Sequence, residues 1–141
     1  MTPYLEHANI TVPDVDAAIA FLQTIDPALR VRHDGISQAG KRWVHVGTDR
    51  SYIALQEPNG GEPAQSPREP YLNHGFNHLG WVVADCDAVV ARLEAAGYPR
   101  GMEAEPHPHR KRVYYYDAAG FEWEILEYLS EDPSEFNDYE L

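Results

Sequence analysis

His7, His78 and Glu124 are the residues of this 141-residue chain whose types and placement can do chemistry. Two neutral imidazoles and one carboxylate suit a divalent ion such as Fe(II), Mn(II), Zn(II) or Ni(II), with positions left open for substrate oxygens. Such an ion stabilises an enolate-like or alkoxide-like transition state as a Lewis acid, or activates oxygen when it is Fe(II). A lone strand histidine is more often a hydrogen-bonded sheet residue than a ligand. Here the histidine recurs: residues 75–93 lie over residues 4–22, with His78 on His7, Asp85 on Asp14, Asp87 on Asp16 and Leu93 on Leu22. Structural packing alone does not predict a repeated histidine.

Several neighbours bear on this set. Gln56 offers a weak fourth oxygen ligand or a substrate contact. By strand parity Glu122 shares the face of Glu124 and becomes the ligand if the register slips by two, whereas Glu127 points the other way. Arg110, Lys111 and Arg112 form the strong basic cluster of an acidic chain. They either hold an anionic substrate, with Arg112 the contact to test, or protect an edge strand. Of Tyr114, Tyr115 and Tyr116, most are sheet packing and one, taken as Tyr115, touches substrate. His107 and His109, flanked by prolines, read as loop residues. Cys86, the single cysteine, reads as a small core residue on the first turn of a helix.

The elements that must position these residues follow from periodicity. Residues 6–12 alternate, with Ala8, Ile10 and Val12 on one face and His7, Asn9 and Thr11 on the other. Pro13 ends that strand, Asp14 can cap a helix, and Val15, Ile19 and Leu22 make its apolar stripe. Strands are expected at 29–33, 41–46 and 51–56. The run 57–73 has four prolines, two glycines and no periodicity, which places a linker at 58–74. The second copy repeats the order: strand 76–83, cap Asp85, helix to Ala96 with Gly97 as stop, a short strand near Met102, then strands 111–116 and 121–128. The last hairpins also correspond, with Arg112 on Arg42, Glu124 on Ala54 and Glu127 on Glu57.

The expected fold is α+β: two βαβββ modules, 4–57 and 75–129, forming a cupped, mostly antiparallel sheet with helices outside, in a single domain of residues 1–129. Residues 130–141 form an acidic C-terminal tail, solvated or reaching a second subunit. A formal charge of −12 argues against nucleic acid or an anionic membrane as main partner. No apolar run is long enough to cross a bilayer and no basic, apolar leader is present, so a cytoplasmic protein is expected. The linker and the tail with Phe136 and Tyr139 suit a homodimer.

The stretches NHLGWVVADCDAVVARLEAAG and RVYYYDAAGFEWEIL resemble the histidine strand, following helix and terminal hairpin of the vicinal oxygen chelate superfamily. That superfamily includes glyoxalase I, fosfomycin-resistance transferases, extradiol dioxygenases and metal-free bleomycin-binding proteins. The resemblance implies metal ligation by His78 and Glu124, with His7 the corresponding ligand of the first module and Glu124 the carboxylate of the catalytic centre. Ala54 stands where glyoxalase I places a second glutamate, which favours three-ligand members or a site using Gln56. The implied function is a metal-dependent lyase, isomerase, transferase or dioxygenase holding one divalent ion and a small oxygenated substrate. A non-catalytic protein that sequesters a small molecule is the alternative.

Overall fold

The structure, a computed structural model, describes residues 3–60 and 69–140. It divides into two compact units, Met1–Pro67 and Arg68–Leu141. Of the expected linker, residues 61–68 lie outside the described residues.

The first unit contains β1 (His7–Thr11), α1 (Val15–Ile25), β2 (Arg30–Ile36), β3 (Arg42–Gly47) and β4 (Tyr52–Gln56). They form a four-stranded sheet in the order β1-β4-β3-β2. β1 runs parallel to β4 and the other pairs are antiparallel. In β1 the polar residues His7, Asn9 and Thr11 are exposed and Ala8 and Ile10 are half-buried, as alternation requires. The Asp14 carboxylate accepts from the Ala17 amide at 2.9 Å and so satisfies a free donor of α1. The buried stripe of α1 is Val15, Ala18, Phe21, Leu22 and Ile25, with Ile19 at its half-buried margin. It belongs to one core with Val44, Val46, Ile53 and Leu55, all at most 6% exposed. Each such side chain contributes about 1.5–3 kcal/mol by leaving water.

The second unit contains β5 (His78–Val82), α2 (Cys86–Ala95), β6 (Arg110–Tyr116), β7 (Glu122–Tyr128) and the single turn α3 (Pro133–Phe136). Its sheet has three strands, β5-β7-β6. Asp85 caps α2 through the Ala88 amide at 2.9 Å, and the Glu127 carboxylate accepts from the Cys86 amide at 2.8 Å. Gly97 ends the helix at φ +80°, a conformation that disfavours a Cβ. Cys86, Val89 and Leu93 pack with Tyr115, Trp123 and Ile125 as the core.

The short strand expected near Met102 is reduced to one bridge, Arg100 to Tyr115. The Met102 amide donates instead to the Glu122 carboxylate at 2.9 Å, and the prolines that follow lack the donors to resume a ladder. The acidic C-terminal segment folds back on its own unit. Phe136 stacks on Tyr128 at 4.2 Å, and the Arg110 guanidinium lies over Tyr139 at 4.6 Å. His107 Nε2 lies 2.8 Å from the Asp138 carbonyl oxygen. Among the described residues no helix is long and apolar enough to cross a membrane.

Candidate metal centre

In the second unit, β5 and β7 run parallel with His78 opposite Glu122 and Gly80 opposite Glu124. These positions share the sheet face turned away from α2, where Glu127 on the other face caps the helix. The Glu124 carboxylate reaches His78, and Nε2 to Oε2 is 3.3 Å. Both side chains are partly open, at 30% and 17% exposure. The paired position on β6 brings Tyr114 opposite Glu124, its ring edge-on to His78 at 5.3 Å. Burial raises the Tyr114 pKa, and the adjacent Glu124 charge and hydrogen bond raise it further.

Glu122 has a different role. It is 4% exposed and both oxygens are engaged: Oε1 by the Met102 amide at 2.9 Å and Oε2 by the Tyr71 hydroxyl at 2.7 Å. Tyr71 also lies 3.1 Å from His78 Nδ1. Its pKa is pushed up to about 12, first by desolvation and then by the Glu122 hydrogen bond and charge. The backbone at Tyr71 has φ +65°, sparsely populated for a residue with a Cβ. Its amide is held by Asn77 Oδ1 at 2.7 Å.

Proton bookkeeping then assigns the His78 tautomer. A phenol has one proton, and a carboxylate at 2.7 Å can only accept it. The Tyr71 oxygen is therefore the acceptor for His78, whose proton sits on Nδ1 by inference from this network. The Nε2 lone pair of the neutral ring then faces Glu124 Oε2, two acceptors at 3.3 Å with nothing positive between them. A ring nitrogen and a carboxylate oxygen so placed are a donor pair that suits a metal ion. A nitrogen and an oxygen bound to one ion at about 2.0–2.2 Å stand about 2.8–3.1 Å apart in octahedral and about 3.3–3.6 Å apart in tetrahedral geometry. The observed pair fits the tetrahedral span.

The remaining expected site residues fall as follows. Within either unit, no group of three His, Cys, Asp or Glu side chains at ligand spacing occurs among the described residues. His7, in the first unit, is 44% exposed with Nδ1 2.9 Å from Glu6 Oε2. Its ring stacks on Tyr52 at 4.8 Å. Gln56 is half-buried at the end of β4, aligned with Thr11 and Trp43. Arg112 shares the face of Tyr114, donates to the Glu105 carbonyl at 3.1 Å, and has a buried Nε with no partner. It lines a cavity of about 390 Å³ with Met102, Glu103, Ala104 and Tyr114.

Tyr115 is a correction. It is 0% exposed and pairs with Trp123 on the face towards α2. Its hydroxyl donates to Glu94 at 3.3 Å. Parity puts Tyr114, not Tyr115, on the face of Glu124. Of the basic cluster, Lys111 pairs with Asp87 of α2 at 2.6 Å, Arg110 lies under Tyr139 and Arg112 reaches this cavity, while all three line a second cavity of about 300 Å³. Tyr71 carried no signal beyond its place in a proline-rich run.

The sequence model of the Glyoxalase/Bleomycin resistance protein/Dioxygenase superfamily matches residues 4–125. The chain is 33% identical over 114 residues to the uncharacterized protein PA2024 of Pseudomonas aeruginosa, covering 77% of this chain and 76% of that one. It superposes on a glyoxalase family protein of Bacillus cereus with TM-score 0.75 and 18% identity, covering 92% of this chain and 97% of that one. The fosfomycin resistance protein FosX of Listeria monocytogenes, solved with Mn(II) and sulfate, matches with TM-score 0.67 and 19% identity over 98% and 100% of the two chains.

Proposed function

This chain belongs to the Glyoxalase/Bleomycin resistance protein/Dioxygenase superfamily, and on that premise we propose that it is an enzyme holding one divalent ion through His78 and Glu124. The observation that carries this reading is the His78 Nε2 lone pair aimed at Glu124 Oε2 across 3.3 Å. The Mn(II) of the fosfomycin resistance protein is in keeping with it. His7 enters as the third ligand on the strength of the sequence repeat, and Gln56 as a fourth oxygen or substrate contact. Imidazole and carboxylate ligands suit Fe(II), Mn(II), Zn(II) or Ni(II). Bound there, the ion supplies Lewis acidity to oxygens of a small substrate.

The chain's own residues then have distinct tasks. Tyr71 and Glu122 hold the His78 ring with its proton on Nδ1, which keeps Nε2 free to bind. Tyr114 keeps its proton because its pKa is raised, and its hydroxyl is a neutral donor beside Glu124. Arg112 borders the adjoining cavity and can steady an anionic group. The reaction class is lyase, isomerase, transferase or dioxygenase.

The test is calorimetry on chelator-treated protein with Mn(II), Zn(II) and Fe(II) at neutral pH. One ion per chain is expected. His78→Ala and Glu124→Ala should abolish binding with the circular dichroism spectrum kept, and His7→Ala should weaken or abolish it. Glu122→Ala should weaken binding without abolishing it. A native protein that takes up no ion overturns the enzyme reading and leaves a small-molecule sequestering protein.

A further inference from the structure

The first unit carries a feature of which the metal reading uses only His7. Strand alternation puts His7 of β1, Tyr52 of β4, and His45 and Trp43 of β3 on the face away from the buried Val44, Val46, Ile53 and Leu55. His33 of β2 pairs with His45 on the same side. These five rings touch in series. His7 stacks on Tyr52 at 4.8 Å, Tyr52 meets His45 at 4.5 Å, and His45 meets Trp43 at 4.6 Å. His33 closes the far end at 4.5 Å from Trp43. Two glycine and alanine positions make this possible. A Cβ at Gly35 would stand 2.7 Å from His33 Nε2, so the missing side chain gives that ring its place. Ala54, 3% exposed, is a small residue between Asn9 and His45 in register.

This face does not share the acidic excess of the chain, since Arg32 is its cation and Glu6 its carboxylate. Asp and Glu number 23 against 11 Lys and Arg, yet the polar groups around the rings are three imidazoles and Arg32. The one carboxylate on the ring series is Glu6, at His7. A shift in register between Val31 and His33 projects Arg32 from the strand, and its guanidinium lies over Tyr52 at 4.4 Å. Three other arginines have carboxylates, Arg30 with Asp49, Arg42 with Asp16 and Asp34, and Arg100 with Glu94. No carboxylate pairs with Arg32 among the described residues. Arg32, His33 and His7 are exposed and Trp43, His45 and Tyr52 half-buried, so the rings and the guanidinium are open to a ligand.

We propose that this face of the first unit binds a planar aromatic acid, its ring against the imidazole, indole and phenol rings and its carboxylate on the Arg32 guanidinium. Ring against ring favours a conjugated ligand over a saturated one of the same charge. The guanidinium favours an anion over a neutral ring through charge-assisted hydrogen bonds. The binding itself rests on the first unit and does not require the ion.

The probe is 4-hydroxybenzoate, compared with cyclohexanecarboxylate for the ring and with benzamide for the charge, by calorimetry in excess chelator. 4-Hydroxybenzoate should bind at least about tenfold more tightly than either. Arg32→Gln should remove about tenfold of its affinity and leave benzamide unchanged. His33→Ala should weaken both aromatic probes and leave cyclohexanecarboxylate unchanged. Both residues are exposed, and circular dichroism checks that the variants fold. Amide resonances of Arg32, His33 and Tyr52 should move with the probe. Equal binding of all three compounds, an Arg32→Gln variant that binds as the native protein does, or resonance shifts confined to residues 69–140 overturns the proposal. Probe binding that vanishes with chelator also overturns it, while leaving the metal reading intact. Failure to bind metal, with probe binding kept, has the converse meaning.

Discussion

Tyr71 bears more on the proposed metal centre than any residue besides the two that face each other. It converts the buried Glu122 into an acceptor for its own proton and so turns His78 into the tautomer a metal requires. Tyr71→Phe should keep the fold but lower divalent-ion affinity about 10–100-fold, as loss of outer hydrogen-bond partners does elsewhere; calorimetry reads this directly. A variant with unchanged affinity would mean that Nδ1 needs no acceptor. Acidification should release the ion, because imidazole and carboxylate bind only when deprotonated. The alkaline side has its own sign. Cys86 is 1% exposed, and its pKa is raised from 9.0 to about 11, chiefly by desolvation with Glu127 adding to it. The stability this group contributes is whole below pH 9 and is lost as pH rises towards 11, where the unfolded thiol ionises first. Chemical unfolding at pH 8, 9.5 and 10.5 should show that decline, and native Cys86 should resist alkylation at pH 8.

The β6–β7 hairpin owes its shape to one carboxylate. Asp117 Oδ1 accepts from the amides of Ala119 and Phe121, each at 2.9 Å, and Oδ2 accepts from Trp123 Nε1 at 3.0 Å. Gly120 then turns the chain at φ +83°. Asp117 is 6% exposed and Trp123 1%, so Asp117→Ala strips the acceptor from the buried Trp123 Nε1 and from two part-buried amides. A loss on the order of 2–4 kcal/mol is expected in urea unfolding. A change below about 0.5 kcal/mol, the ordinary surface value, would deny the carboxylate this role. Since β7 carries Glu124, the same variant should also loosen metal binding. The missing strand near Met102 is the counterpart. Glu122 takes the amide that strand would have used, and Met102 is left 46% exposed beside the Arg112 cavity.

For the whole molecule, the family relationship supports α+β modules of the expected kind, and the sheets of both units keep one face for a helix and one for polar side chains. We propose that residues 1–129 act as one domain and that the chain forms a homodimer. Light scattering at micromolar concentration should return twice the chain mass, and a monomer mass would end that expectation. The C-terminal segment does not supply the argument for a dimer, because its aromatic residues are engaged with Tyr128 and Arg110 of its own unit. Truncation after Leu129 should therefore lower stability rather than change the oligomeric state.

How much was legible follows from the range of each interaction. The helix caps Asp14 and Asp85, the stop at Gly97 and the alternation of β1 depend on neighbours within a few residues, and the chain alone determined them. The repeat likewise pointed to His78 and to the strand of Glu124, since strand parity needs only sequence. The choice between Glu124 and Glu122 needed the parallel register of β5 on β7 and the proton given by Tyr71, 51 residues from Glu122. The choice of Tyr114 over Tyr115 needed the register of β6 on β7. No local pattern distinguishes three consecutive tyrosines, or a linker tyrosine from a loop residue. The ring series of the first unit lay in the alternation of β3 and β4, but its continuity required the bulge that swings Arg32 over Tyr52. Short-range propensity sets the elements; side chains brought together across strands decide what the faces hold, and only the folded chain brings them together.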